Sequence, residues 1–317
     1  MSRPHDPALP RQARAFSPGG VGNIGIGFDL LGHSLAGPRD VAIVRRIPEP
    51  VVRIGRIAGA TGADSLPLEA EANTAGRALL ALRAAMNLPY GFQLDLEKGI
   101  PLGSGLGGSA ASCVAALIAA NALLDAPLRR DDLYPFALEG ESASTGTRQG
   151  DNVAPMLLGG VVLATATRMV PLGAPDWLHC AAVHPDQVLE TRRARAVLTG
   201  PYPLADVVRH SAHLALFLTG LQRGDADLLR EGLQDTLVEP RRAGLIPGFA
   251  QAKRAALAAG ALGASLSGAG PATFAWFASE PAARSGGEAM RRAFADAGYA
   301  SRLYVSPVAG PRAELLP

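Results

Sequence analysis

Residues 103–109 read Gly-Ser-Gly-Leu-Gly-Gly-Ser, four glycines and two serines in seven positions. Glycine admits positive φ and lets main-chain N–H groups approach a ligand closely. The alanine-rich run 110–124 reads as a helix, so the loop feeds a helix N-terminus. Free N–H groups and the positive end of the helix dipole suit an anion there, phosphate above all. A tight turn that only packs a helix on a sheet is the plainer account of the same residues. What separates the two lies elsewhere in the chain.

The common phosphate-binding families are excluded by lysine. Of 30 basic residues only Lys98 and Lys253 are lysines, and neither follows glycine and precedes Ser or Thr as a Walker loop requires. The stretch 41–44, Val-Ala-Ile-Val, has valine where a protein kinase carries its ATP-binding lysine. Two runs, from Gly103 and from Gly20, match the dinucleotide fingerprint G-x-G-x-x-G in form. The first follows no buried strand. The second leads into Phe28-Asp29 instead of a long apolar helix, and Asp40, placed where a ribose-binding acid belongs, begins a predicted strand. An NAD-dependent oxidoreductase is therefore a distant alternative.

The elements that must position this loop follow from periodicity. Strands are expected at 13–16, 40–46, 51–57 and 91–96, and a helix from Asn73, itself suited to the N-cap, through Leu79, Leu82 and Met86. Asp131 or Asp132 should cap a helix to about 143, followed by a polar loop at 146–152 and a strand at 160–165. Beyond a proline-rich stretch at 168–177 come a strand at 178–183 and helices at 189–198, 204–221, 226–236 and 248–260. A strand at 272–278, a helix at 287–297 and a strand at 299–306 close the chain. Mixed elements without a repeat give an α+β protein of two domains, with a flexible tail at 1–12 and units at 13–168 and 169–317.

Composition is that of a globular chain, 48% hydrophobic and 18% charged over 317 residues. A net charge of +2, with no basic block interleaved with aromatics, gives no reason to expect nucleic acid. Cys113 and Cys180 fall in apolar runs, which predicts burial, a reducing compartment and no metal site. The first 14 residues lack the apolar core of a secretory signal, and no run has the length of a membrane span, so a soluble cytoplasmic protein is expected. His210 and His213 lie three apart on a predicted helix, but with no third ligand in sight they read as ordinary surface residues, as do His179 and His184.

Three motifs in order then converge. The stretch 101–112 resembles the second motif of the GHMP kinases, the family of galacto-, homoserine, mevalonate and phosphomevalonate kinases. Residues 262–271 are similar to that family's third motif, and 17–29 to its first. Asn23-Ile24-Gly25-Ile26-Gly27-Phe28-Asp29 resembles the homoserine kinase branch in particular. So do Gly150-Asp151-Asn152-Val153-Ala154-Pro155, Thr191-Arg192-Arg193-Ala194-Arg195 and Glu239-Pro240-Arg241-Arg242. The resemblance implies the two-domain GHMP architecture, with a left-handed βαβ unit in the first domain and a ferredoxin-like second domain. It also implies transfer of the γ-phosphoryl group of ATP to the side-chain hydroxyl of L-homoserine, a step in threonine synthesis. Another GHMP small-molecule kinase, or a non-catalytic ligand sensor of the same fold, is the alternative. Dimers are common in the family, so a homodimer is allowed for.

The same resemblance assigns residues. Pro101, Gly103, Ser104, Gly105, Leu106, Gly107, Gly108, Ser109, Ala110 and Ala111 would bind ATP, with Asn73 at the base. Ser109 and Glu141 would hold Mg²⁺, a hard cation served by hydroxyl, carboxylate and phosphate oxygens. Arg195 and Arg242 would clamp the substrate carboxylate, with Asn23, Asp29 and Thr191 around its other groups. Asn152 stands near the position where mevalonate-type members carry a base, and an amide cannot usefully take a proton. Its expected role is to orient the substrate while the proton goes to a phosphate oxygen, with Asp29 the alternative base. Two departures stand out: Gln149 where the homoserine kinase pattern has histidine, and Gly108 where serine is common.

Overall fold

The computed structural model describes residues 11–317, so all but the last two residues of the expected tail lie outside it. In the first half run β1 (Gln12–Gly22), β2 (Leu31–Ile47), β3 (Val52–Gly59), α1 (Thr74–Ala85), β4 (Gly91–Lys98) and α2 (Gly108–Asn121). Then come α3 (Arg130–Thr145), α4 (Val153–Leu158), β5 (Val161–Ala164) and β6 (Met169–Pro171). The second half holds β7 (His179–Pro185), α5 (Thr191–Ala196), α6 (Leu204–Arg223), α7 (Ala226–Gly232) and α8 (Glu239–Arg242). It ends with α9 (Phe249–Ala258), β8 (Gly263–Leu266), β9 (Thr273–Phe277), α10 (Glu280–Asp296), β10 (Ser301–Pro307) and β11 (Glu314–Leu316).

Two sheets form. The first runs β11-β1-β2-β4-β3 with β5 and β6 continuing from β2, and β3–α1–β4 is a βαβ unit with parallel strands. Both β6 and β11 reach it from beyond residue 168. The second has order β10-β7-β9-β8, all antiparallel. Numbered by their own sequence, its strands lie in the order 4-1-3-2, the βαββαβ pattern of a ferredoxin-like unit. The expected α+β architecture is observed.

Side-chain alternation joins the sheets. Cys180 and Ala182 of β7 and Phe274 and Trp276 of β9 belong to the large core that also holds β1, β2 and α2. Their sequence neighbours Ala181, Val183, Ala275 and Phe277 face a second core with Ala252 and Ala256 of α9 and Met290 and Phe294 of α10. A strand covered on both faces is apolar nearly throughout, which is why β9 reads Phe-Ala-Trp-Phe after Thr273. Helix α2 is buried from Ala110 through Ala120, so it is apolar all round. Both cysteines are free and buried, as expected.

Several elements differ from the expectations. The first glycine cluster is strand as far as Gly22, and the predicted strand at 40–46 is the second half of β2. Those in the strand serve close approach more than turning: a Cβ on Gly22 would fall 2.6 Å from Asp151 Oδ2. Asp131 and Asp132 do not cap α3; Arg129 occupies the N-cap and the aspartates lie in the first turn, where they complement the dipole. Helix α10 begins seven residues before the predicted 287, with the Ser279 side chain accepting the N–H of Ala282. Its Gly286 lets the helix pack on Phe277, whose ring would lie 2.1 Å from a Cβ there.

Candidate active site

A cleft of about 430 Å³ opens where the loop 100–107 meets the first and third glycine motifs. Of the ten expected ATP-binding loop and helix residues, Pro101, Gly103, Ser104, Gly105, Gly107, Gly108 and Ser109 line it. Leu106, Ala110 and Ala111 do not; their side chains are fully buried in the core beneath the loop. Gly103, Gly105 and Gly107 all take positive φ, at 62°, 79° and 71°. At Gly105 a side chain has no space either, since the carbonyl oxygens of Ser267 and Gly270 lie 2.6 Å from where its Cβ would be. The third motif therefore braces the loop, with Ser267 Oγ donating to the Gly105 carbonyl at 2.7 Å and the Ala272 N–H to that of Ser104 at 2.9 Å.

Beneath the loop lies a buried network absent from the sequence reading. Lys98 pairs with Asp40 and donates to the Gly108 carbonyl and to Ser112 Oγ, both at 2.7 Å. Asp40 Oδ1 accepts the N–H groups of Gly99 at 3.0 Å and Ile100 at 3.1 Å. Asp40 thus serves the loop's two ends, and it is fully buried with both oxygens taken, out of reach of a ribose, which removes the dinucleotide reading. That Lys98 is one of two lysines in an arginine-rich chain was the available signal.

Asn73 caps α1, its Oδ1 accepting from Ala75 and Gly76 N–H and its Nδ2 donating to the Pro67 carbonyl at 3.0 Å, and it also lines the cleft. Ser109 and Glu141 meet in the cleft, the hydroxyl donating to the carboxylate. Burial pushes the Glu141 carboxyl up to about 7. Asp151, to which the sequence reading gave no role, is buried beside it. Burial, and then the Asp29 charge, push Asp151 up to about 7.

At the other end the cleft carries paired charges. Arg195 holds Asp29 bidentately, Nη2 to Oδ1 at 2.9 Å and Nη1 to Oδ2 at 3.3 Å, and Gln149 Nε2 donates to Asp29 Oδ2 at 2.8 Å. Gln149, where the motif pattern departs, thus stands on the Asp29 carboxylate. Arg242, only 2% exposed, donates to the carbonyls of Ala194 at 2.9 Å and Gly268 at 3.2 Å. Burial and the neighbouring Arg195 lower its guanidinium to about 10. Both arginines lie over the Phe28 ring, 5.5 and 5.1 Å from its centroid. Asn23 joins two motifs, donating to the Gly268 carbonyl and accepting the Asp29 N–H, both at 2.9 Å. Thr191, at the start of α5, completes the lining, and Asn152 stands between the phosphate-type loop and the charged end.

Elsewhere, His210 Nδ1 lies 3.6 Å from Asp235 Oδ1 and His213 Nδ1 lies 2.9 Å from the Gln234 carbonyl oxygen. No helix among the described residues is long and apolar enough to cross a membrane.

An anion loop at a helix N-terminus, sharing one cleft with a guanidinium and carboxylate clamp, defines a small-molecule phosphotransferase site. Family models agree: GHMP kinases N terminal domain matches residues 73–160 and GHMP kinases C terminal matches residues 217–296. The chain belongs to the GHMP kinase family. It is 58% identical to the homoserine kinase of Xanthomonas campestris pv. campestris strain B100, over 96% of this chain and 94% of that one. To the homoserine kinase of Chlorobium phaeobacteroides it is 38% identical, over 96% and 100%. Its fold is similar to the crystal structure of homoserine kinase from Cytophaga hutchinsonii, with TM-score 0.93, 36% identity and coverage of 99% and 100%. Likeness to the L. major mevalonate kinase in complex with R-mevalonate, at TM-score 0.71 and 16% identity, concerns the fold.

Proposed function

We propose that this chain is an ATP-dependent kinase that phosphorylates the side-chain hydroxyl of L-homoserine, giving O-phospho-L-homoserine. The observation that carries the reading is the shared cleft: an anion loop at one end and, at the other, an Asp29 carboxylate facing Arg195 and Arg242. A zwitterion needs both signs of charge, and guanidinium forks match a carboxylate. Relatives 55–58% identical over 96% of the chain carry the name homoserine kinase, which supports the same substrate.

Each group has a task in this reading. The loop from Gly103 to Ser109 cradles the β- and γ-phosphates, and the base lies against Asn73, Leu66 and Pro67. Ser109 and Glu141 would hold Mg²⁺: a hydroxyl bonded to a buried carboxylate is a hard-oxygen donor set, and burial without a cation disfavours the ionised acid. The ion when bound draws negative charge off the phosphates as the phosphoryl group moves. Arg195 and Arg242 take the substrate carboxylate, and Asp29, turned by Gln149, takes its ammonium group. Thr191 and Asn23 close that end of the cleft. Asn152 orients the hydroxyl, and the proton passes to a phosphate oxygen. The unit 13–168 supplies the nucleotide side, and 169–317 brings Thr191, Arg195 and Arg242.

The test is ADP release with L-homoserine, measured against mevalonate, galactose and L-serine. Release with L-homoserine at least about 100-fold faster in kcat/KM than with the others is expected. No homoserine-dependent release would overturn the assignment.

A further inference from the structure

Asn152 carries a buried amide oxygen, Oδ1, with no hydrogen-bond partner. A buried acceptor left unsatisfied is costly, and in a cleft it is a natural place for a ligand donor. The residue lines the cleft, and its Oδ1 lies against Gly107, where a Cβ would come within 2.8 Å. Its amide nitrogen is tied down instead: Nδ2 donates to Asp151 Oδ2 at 3.1 Å.

Three features of this pair point the same way. The Asp151 carboxylate is met by donors, since besides Asn152 it accepts its own N–H and that of Asn23. An acceptor-only carboxylate can receive only the NH₂ side of the amide, so it sets which way the amide points. Space for the pair comes from glycines on two strands and the loop. A Cβ on Gly22 would fall 2.6 Å from Asp151 Oδ2, one on Gly32 would strike the Asp151 carbonyl, and Gly107 clears Asn152. Asn152 also occupies the N-cap position of α4 yet makes no side-chain cap, so its side chain is free of the helix.

We propose that Asp151 is a positioning residue for phosphoryl transfer. Its carboxylate holds the Asn152 amide with Nδ2 inward, leaving Oδ1 as the acceptor for the substrate hydroxyl that attacks the γ-phosphorus. This rests on the homoserine kinase reading and adds to it the residue that sets the acceptor's orientation. Asp151 touches no reacting atom; it acts through Asn152. On transfer the hydroxyl oxygen forms the new bond to phosphorus, the bond to the β,γ-bridging oxygen breaks, and the proton leaves on a phosphate oxygen. Asn152 directs that proton without taking it.

The experiment has two arms at about pH 8.5, where Asp151 is ionised. In the first, the side-chain amide protons of Asn152 are identified by their loss from the ¹⁵N spectrum of Asn152→Ala, and their exchange with solvent is followed. Exchange at least about tenfold slower in the wild-type protein than in the isosteric Asp151→Asn is expected. Equal rates would overturn the inference whether or not L-homoserine is a substrate. In the second, Asp151→Asn should lower kcat for L-homoserine about tenfold with KM for ATP unchanged. In the Asn152→Ala background the same change should have no further effect, because the two residues act as one unit. Full and independent losses in the double variant would make Asp151 a separate contributor and overturn the positioning role. A wild-type protein inactive on L-homoserine would count against the function alone, while the exchange arm still decides the orientation.

Discussion

The charged end of the cleft is paired within itself: Asp29 has Arg195 at 2.9 Å and Gln149 at 2.8 Å. A substrate carrying a carboxylate and an ammonium group exchanges both partners at once, so neither half-buried charge is left unpaired. A substrate with only one of them would leave either Asp29 or an arginine without its partner, which weakens binding. Replacing Arg195 by Lys keeps the charge and loses the fork. Arg195→Lys should raise KM for L-homoserine about tenfold and leave KM for ATP unchanged in steady-state assays. At the loop end of the cleft the Ser109 hydroxyl donates to the Glu141 carboxylate. Glu141→Gln keeps the size and removes the charge. Its kcat should fall about 100-fold or more with KM for L-homoserine nearly constant, as expected for a ligand proposed to hold the cation that counters charge in the transition state.

The loop's position depends on the strands beneath it. Its two ends, Gly99-Ile100 and the Gly108 carbonyl, are fastened to one buried ion pair, Asp40 on β2 and Lys98 at the end of β4. Removing one member of such a pair leaves the other charge buried. Lys98→Met should therefore cost about 3–5 kcal/mol in urea denaturation. It should also raise KM for ATP more than KM for L-homoserine, since only the loop loses its anchor. Sequence pattern marked the glycines of this loop but not its fastening. Asp40 and Lys98 are 58 residues apart, and only the pairing of β2 with β4 makes them neighbours. The glycines of 19–22 were legible as a cluster but not as the strand they form, because pattern cannot tell a glycine that turns from one that makes room.

The two sheets share a core, and a histidine sits where they meet. His33 of β2 is fully buried, its Nδ1 3.0 Å from the Ser34 carbonyl oxygen and its Nε2 accepting from Trp276 Nε1 of β9 at 3.3 Å. One ring nitrogen donates and the other accepts, so the ring must be neutral. Burial lowers His33 to about 4 from 6.5. The unfolded chain therefore binds the extra proton first, and the stability this residue contributes is complete above about pH 6.5 and is lost as pH falls toward 4. Urea midpoints measured from pH 7 down to pH 4 should fall more steeply for the wild-type protein than for His33→Gln, which has no charge to gain. Parallel slopes would mean the ring does not govern the acid limb. Asp151 and Glu141 shift in the opposite sense, but both are present in the two proteins and cancel in the comparison.

By itself the sequence determined the α+β class, most helices and strands, and the residues whose types suit phosphate and a zwitterion. Those properties are local: a glycine run before an alanine-rich helix, period-2 and period-3.6 alternation, and arginines in recognisable contexts. Only the tertiary structure decided which of them share a cleft. Leu106, Ala110 and Ala111 belong to the right motif yet face the core, while Asp40, Lys98 and Asp151 reach the site from elements whose local pattern says nothing of phosphate. The physical reason is that burial and pairing are set by strands brought together over long sequence separations. A carboxylate's partners, and with them its charge state, exist only after that assembly. The loop at 103–109 could be read as an anion site from its residues alone; that it is braced by the third motif and fastened by one buried lysine is a property of the folded chain.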